Sequence, residues 1–164
     1  YKPISGATTE GVELGMRRVM AEGWNLSAGY TYARSRDDDE QRIYGFPLAT
    51  TKPEHVVRTF TTYRLPGALD QVTVGGGVSW QSAFYGQSFN PSVDGSGQGA
   101  TATLKQGGYT LVDLMTRYQY DEHLSFTANA YNVFDKKYLT GLGNFGTTFY
   151  GEPRNFQLTA KYDF

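Results

Sequence analysis

The side chains that could carry chemistry are few, and they form no recognisable catalytic set. The chain has no cysteine, which excludes disulfides, thiolate metal sites and a cysteine nucleophile. Its two histidines, His55 and His123, fall at opposite ends of predicted strands, so neither is placed to act as a general base for a nucleophile. We therefore predict a protein that is not an enzyme and has no resident metal or cofactor.

Three further groups of residues could suggest a metal, phosphate or catalytic site, but each has a simpler interpretation. Carboxylates such as those of Asp37–Glu40 suit calcium, but the run lacks the glycine-punctuated spacing of a calcium loop, so a solvated charge run is favoured. The triplet Gly75–Gly77 lacks the Lys-Ser/Thr of a phosphate loop and lies inside a predicted strand, where glycine marks bending or close approach. The charged residues of the polar strand faces are expected to form ion pairs inside a lumen rather than to do chemistry: Asp113 and Arg117 on one face, and Arg58, Arg64, Glu13 and Arg17 on others.

The composition is unusual in combining many aromatic residues with a polar average. Aromatics make up 15% of the 164 residues, glycine occurs 20 times, and yet the mean hydropathy is −0.48. Lys and Arg total 15 against 16 Asp and Glu, so no basic face is available for nucleic acid. No stretch approaches the roughly 18 apolar residues of a transmembrane helix.

The hydrophobic pattern has period two, which predicts β-strands. Two segments show it most clearly, with apolar residues at every second position: Trp24, Leu26, Ala28, Tyr30 and Tyr32, and then Phe156, Leu158, Ala160, Tyr162 and Phe164. About seven such segments, of roughly 10–14 residues each, are long enough for tilted membrane-spanning strands. The connections alternate between short ones and long polar ones at about 36–53, 86–107 and 135–150, as in an outer-membrane β-barrel.

The same alternation fits a soluble β-sandwich, so the composition of the faces decides between them. Aromatics collect at strand ends, as an interfacial girdle requires, and small residues such as Ala28 and Ala128 suit lipid better than a sandwich core. Trp80 shares the parity of Val74 and Val78, which predicts a girdle residue rather than a ligand contact. We predict an all-β fold, an antiparallel transmembrane β-barrel segment. An odd set of strands cannot close alone and is expected to be part of a larger barrel.

Two motifs resemble a known family. The stretch Asn132–Tyr138 resembles the N-x-F-D-K-x-Y signature of TonB-dependent outer-membrane receptors, and Tyr150–Phe156, running to Phe164, resembles their G-x-P-R last strand. Tyr109–Leu114 and Trp80–Ser82 are similar to the ferric-siderophore branch, with its hydroxamate, coprogen and pyoverdine-type receptors.

The resemblance implies that residues 1–164 are the C-terminal part of a barrel of about 22 strands in the outer membrane of a Gram-negative bacterium. The plug domain and the TonB-contacting segment are expected to lie outside these residues. The implied function is TonB-dependent uptake of a ferric siderophore, the transported ligand. The implied partners are TonB, the plug, the barrel-assembly machinery and outer-membrane lipid, with no nucleic acid.

Aromatic and polar residues of the three long loops are the candidate ligand contacts by this resemblance; the alternative is that the aromatic residues pack on one another and stabilise the loops. They are Tyr44, Phe46, Tyr85, Phe89, Asn90, Phe145, Phe149 and Tyr150. The resemblance also makes Phe164 an assembly signal. The alternatives are a general porin or passive channel, which would not be expected to carry both motifs, a soluble β-sandwich adhesin, and a small-barrel enzyme, against which the two distant histidines argue.

Overall fold

The computed structural model describes residues 7–37, 52–90, 100–142 and 147–164. Seven strands form one antiparallel sheet in the order β1-β2-β3-β4-β7-β8-β11, and two separate hairpins, β5-β6 and β9-β10, stand outside it. The strands are β1 (Ala7–Ala21), β2 (Trp24–Asp37), β3 (His55–Arg64), β4 (Val72–Gln81), β5 (Phe84–Asn90), β6 (Ala100–Gln106), β7 (Tyr109–Gln119), β8 (Leu124–Tyr131), β9 (Leu139–Leu142), β10 (Thr148–Tyr150) and β11 (Asn155–Tyr162). No helix in these ranges is both long and apolar enough to cross a membrane.

The register confirms the two predicted faces of the sheet. Directly paired residues share a face, because side chains alternate along each strand. Leu26 pairs with Thr61, and Gly76 pairs with both Thr61 and Leu114. On this face the large apolar side chains are exposed: Val12, Leu14, Met16, Trp24, Val74, Val78, Trp80, Leu114, Phe126 and Leu158. Trp80 therefore lies on the apolar face, as its parity predicts.

The glycine triplet allows neighbouring strands to approach closely, as the sequence predicts. A Cβ added at Gly75 would lie 2.8 Å from the carbonyl oxygen of Thr61. One added at Gly77 would lie 3.0 Å from that of Thr59. Both contacts are with backbone, which cannot move aside without disturbing the ladder, so a side chain at either position would strain the sheet.

All the short connections lie at one end of the sheet, and all the long ones lie at the other. The strands β1 and β2 are joined at 22–23, β3 and β4 at 65–71, and β7 and β8 at 120–123. The predicted loops at 86–107 and 135–150 prove to contain the two extra hairpins, and β5 begins at Phe84, before the predicted loop. The sequence missed them because their strands are short and weakly alternating.

The turn between β7 and β8 should loosen at low pH. Oδ1 of Asp121 accepts hydrogen bonds of 2.8 Å from the backbone N–H groups of His123 and Leu124, and these hold the pKa of Asp121 below its ordinary value. A lowered pKa gives stability that is present above about pH 4 and lost as the pH falls through the folded value. We expect amide protection of His123 and Leu124 to fall on acidification. Asp121→Asn, which keeps an acceptor that does not titrate, should remove this dependence; an unchanged dependence in that variant would contradict the assignment.

Candidate ligand site at the loop end of the sheet

A small hydrophobic core ties the two hairpins to the loop end of the sheet. Phe84 at the start of β5 is 1% exposed, and it clusters with Tyr109 at the start of β7 and Leu142 at the end of β9. Leu104, Leu111, Tyr138 and Leu139 pack around them. The backbone N–H of Leu139 also donates to Oε1 of Gln106 at 2.9 Å, which joins the second hairpin to the first. Two loops that are distant in sequence thus share one packed cluster at the loop end of the sheet, which we call the loop base.

Asn132 organises the connection that leaves β8. Its side chain is buried at 4% exposure, its Nδ2 donates to the carbonyl oxygens of Lys136 (2.9 Å) and Glu152 (3.0 Å), and its Oδ1 accepts from the Lys136 N–H (2.8 Å). Its own N–H donates to Oδ1 of Asp113 at 2.8 Å. The φ angles of Asn132 and Asp135 are +48° and +52°, in the left-handed region that Asn and Asp tolerate better than most residues.

The second half of the motif completes this base. Oδ1 of Asp135 accepts from the N–H of Arg154 at 3.0 Å, which fixes the entry to β11. The ring of Tyr138 lies 4.5 Å from that of Tyr109, centroid to centroid, and lies so close to Gly151 that a Cβ at this position would clash with ring atoms of Tyr138. Burial raises the pKa of Tyr138, and the charges of Glu152 and Asp113 add to the rise. The phenol therefore stays neutral at physiological pH.

A groove of about 290 Å³ opens on the polar face beside this base. Its lining includes Val56, Arg58, Gln81, Tyr109, Tyr138 and Thr140. The cross-strand neighbours of Arg58 are Gly29 and Ser79, which are too short to cover its guanidinium. In the described ranges, no hydrogen bond or ion pair joins Arg58 to another residue. The groove thus combines a free cation, phenol and amide groups, and an apolar wall.

The predicted ligand contacts are distributed unevenly. Tyr85 lies in β5 and is partly buried, while Phe149 and Tyr150 in β10 are 63% and 77% exposed. Phe89 and Asn90 pair through their backbones with Thr101 and Ala100 in the same hairpin. Tyr44, Phe46 and Phe145 lie outside the described residues, as do Asp38, Asp39 and Glu40 of the acidic run. Which of the candidates contact a ligand stays a prediction.

Neither Asp113 nor Arg117, two of the residues expected to form lumen ion pairs, forms an ion pair within the described residues. Asp113 accepts the backbone N–H of Asn132, and Arg117 donates to Oε1 of Gln119 (2.9 Å) and to Ser125 (3.4 Å). Parity placed both residues on the polar face correctly, but it could not show that a backbone group would take the carboxylate. The sequence predicted Arg58 to lie on a polar face, but it did not predict that Arg58, Tyr109 and Tyr138 line one groove. Two features could have indicated them: Arg58 and Tyr109 lie on the polar face near a long loop, and Tyr138 belongs to the motif Asn132–Tyr138.

The antiparallel sheet has one exposed apolar face, short turns at one end and packed hairpins at the other. These features are typical of a segment of an outer-membrane β-barrel. The family model described as "TonB dependent receptor-like, beta-barrel" matches residues 1–133, so the chain belongs to the TonB-dependent receptor family, as the motifs predict. This membership sets aside the porin and adhesin alternatives.

Within this family, the chain is similar to receptors for ferric pyoverdines. The chain is 40% identical over its full length to the ferric-pyoverdine BN7/BN8 receptor of Pseudomonas putida and 37% identical to the ferripyoverdine receptor of Pseudomonas aeruginosa. It spans 18% and 19% of their lengths. The crystal structure of the ferripyoverdine receptor of the P. aeruginosa outer membrane bound to ferripyoverdine superposes on 96% of this chain and 20% of its own, with a TM-score of 0.82 at 37% identity.

Proposed function

We propose that this chain supplies the last barrel strands and outer loops of an outer-membrane receptor that imports a ferric siderophore of the pyoverdine type. The observation that carries this proposal is identity of 37–40% to ferric-pyoverdine receptors across every residue of the chain. In this proposal energy comes from TonB, and a plug domain fills the lumen against the polar face. The strands cross the outer membrane of a Gram-negative bacterium, with the hairpins outside the cell.

The two ends of the sheet support this orientation. Barrels of this kind have short periplasmic turns and longer extracellular loops. The short turns and Phe164 lie at the same end of the sheet, because β11 runs from the loop end toward the turn between β7 and β8. Phe164 is fully exposed there, in edge contact with Tyr162 (5.1 Å), and is available to the barrel-assembly machinery as its proposed signal.

Uptake by the full-length receptor tests the proposed function. We expect a receptor-deficient Gram-negative strain that expresses it to accumulate 55Fe from ferric pyoverdine and to lose this uptake when TonB is deleted. A panel of ferric pyoverdines and other ferric siderophores then defines the substrate. Uptake that persists without TonB would indicate a passive channel, and no uptake of any ferric siderophore would contradict the proposal.

A charge placed on the apolar face tests whether that face meets lipid. Leu114 is exposed in the middle of β7, and Met115 beside it points to the opposite face. We expect Leu114→Arg to cost about 2 kcal/mol, the lower end of the range for a cation at the bilayer midplane, and to reduce heat-modifiable receptor in the outer membrane. Met115→Arg should be tolerated better, because lumen positions accept polar side chains. Equal losses in the two variants would contradict the assignment of the faces.

A further inference from the structure

We propose that the groove beside Arg58 binds an anionic group, a carboxylate, of the transported siderophore. This inference rests on the proposed function and deepens it by assigning one contact of the ligand to a place that the loop candidates do not include. The groove lies on the polar face, at the end of the sheet where the hairpins stand.

The guanidinium of Arg58 is the group that we expect to bind the anion. A guanidinium offers five donors in a planar fork that matches a carboxylate in a bidentate pair. Three other charged groups of the polar face have partners of their own. Arg64 pairs with Asp70 at 3.6 Å, Arg117 donates to Gln119, and Asp113 accepts from Asn132. Arg58 is thus a lumen arginine whose donors are unused in the described ranges.

The rest of the groove favours an organic anion over a hydrated ion. Val56 and Leu111 supply an apolar wall, and the tilted rings of Tyr109 and Tyr138 supply an aromatic one. Gln81 and Thr140 add polar groups to the lining. The lining thus mixes apolar and polar surface, and in a small-molecule site the polar groups fix the orientation of the ligand.

The position in the barrel favours the ligand over the plug as the source of the anion. Arg58 is three residues from the loop end of β3, and Tyr138 belongs to the base of the second hairpin. A ligand that enters between the hairpins meets this groove before it reaches the middle of the sheet. A carboxylate of the plug is the competing partner, and the experiment distinguishes the two.

The test measures equilibrium binding of ferric pyoverdine to the purified full-length receptor. We expect Arg58→Gln to weaken binding about 10- to 100-fold, the effect of losing a charged hydrogen-bonded pair. Arg58→Lys should show an intermediate loss, because it keeps the charge without the fork. Arg64→Gln is the matched control, since it removes the same charge from the same face of β3 near the short turn; it should bind as the wild type does.

Two further arms identify the partner of Arg58. A carbodiimide-amidated preparation of ferric pyoverdine should bind wild type and Arg58→Gln equally, and the melting temperature of the ligand-free receptor should be the same in both. Unchanged affinity in Arg58→Gln would overturn the inference while leaving the proposed function intact. A lowered ligand-free melting temperature, with the same affinity loss for both preparations, would assign Arg58 to the plug and overturn it too. Absence of binding by the wild type would overturn the proposed function and this inference together.

Discussion

Replacing Asn132 with alanine should open the base of the second loop. The substitution removes three side-chain hydrogen bonds, to Lys136 N–H, Lys136 C=O and Glu152 C=O, each worth about 1 kcal/mol net. We expect the local free energy of opening for residues 132–142 and 147–154 to fall by about 3 kcal/mol. Amide hydrogen exchange of the full-length receptor measures this directly, because exchange reports local opening even where the barrel stays folded.

Two matched variants make the Asn132 experiment decisive. Asn132→Asp keeps the acceptor for Lys136 N–H but sets a buried carboxylate oxygen against the carbonyl oxygens of Lys136 and Glu152, so its effect should be at least as large as that of alanine. Asn129→Ala removes an amide from the polar face of the neighbouring strand β8, where the described structure shows no hydrogen bond of the Asn129 side chain, and it should leave exchange unchanged. Equal effects of Asn129→Ala and Asn132→Ala would show that the hydrogen bonds of Asn132 are not what holds the loop base.

Phe84→Ala is expected to destabilise both hairpins, although the residue belongs to only one of them. Phe84 is the largest fully buried side chain of the described residues, and truncating a buried phenylalanine costs about 3–5 kcal/mol. Because Leu142 of β9 packs in the same cluster, faster exchange should appear in β9 as well as in β5 and β6.

The control for this experiment is Phe134→Ala, which truncates a phenylalanine that is 78% exposed near the same loop base. It should cost little and leave exchange in both hairpins as in the wild type. If Phe84→Ala accelerated exchange in β5 and β6 alone, the two hairpins would be independent, and the shared cluster would contribute no coupling between them.

The sheet was predictable from the sequence because the pattern that specifies each strand lies within the strand itself. Period-two alternation assigned the faces of all seven long strands, and the parity of Trp80 put it on the apolar side. The motifs also indicated the family. The hairpins were less predictable, because β9 and β10 have only 4 and 3 residues, too few to show a period.

The candidate site was less predictable, because it depends on contacts between residues far apart in sequence. The groove unites Arg58 of β3, Tyr109 of β7 and Tyr138 of the last loop, and no spacing in the sequence relates them. Asn132 shows the same limit. Its place in the motif was visible, but its role depends on carbonyl groups at Lys136 and Glu152 that only the folded connection brings together.

The shared core of the hairpins has a consequence for how new ligand preference could arise in such receptors. Phe84, Leu104 and Leu142 come from two loops but must fit one another. A chimaera that exchanges only one of these loops with a relative would join mismatched halves of a packed core. Exchanging residues 82–108 and 132–154 as a pair preserves the fit, so the two loops form a single transplantable block. Recombination or directed evolution that treats them as separate modules would tend to produce misassembled receptors before it produced new specificity.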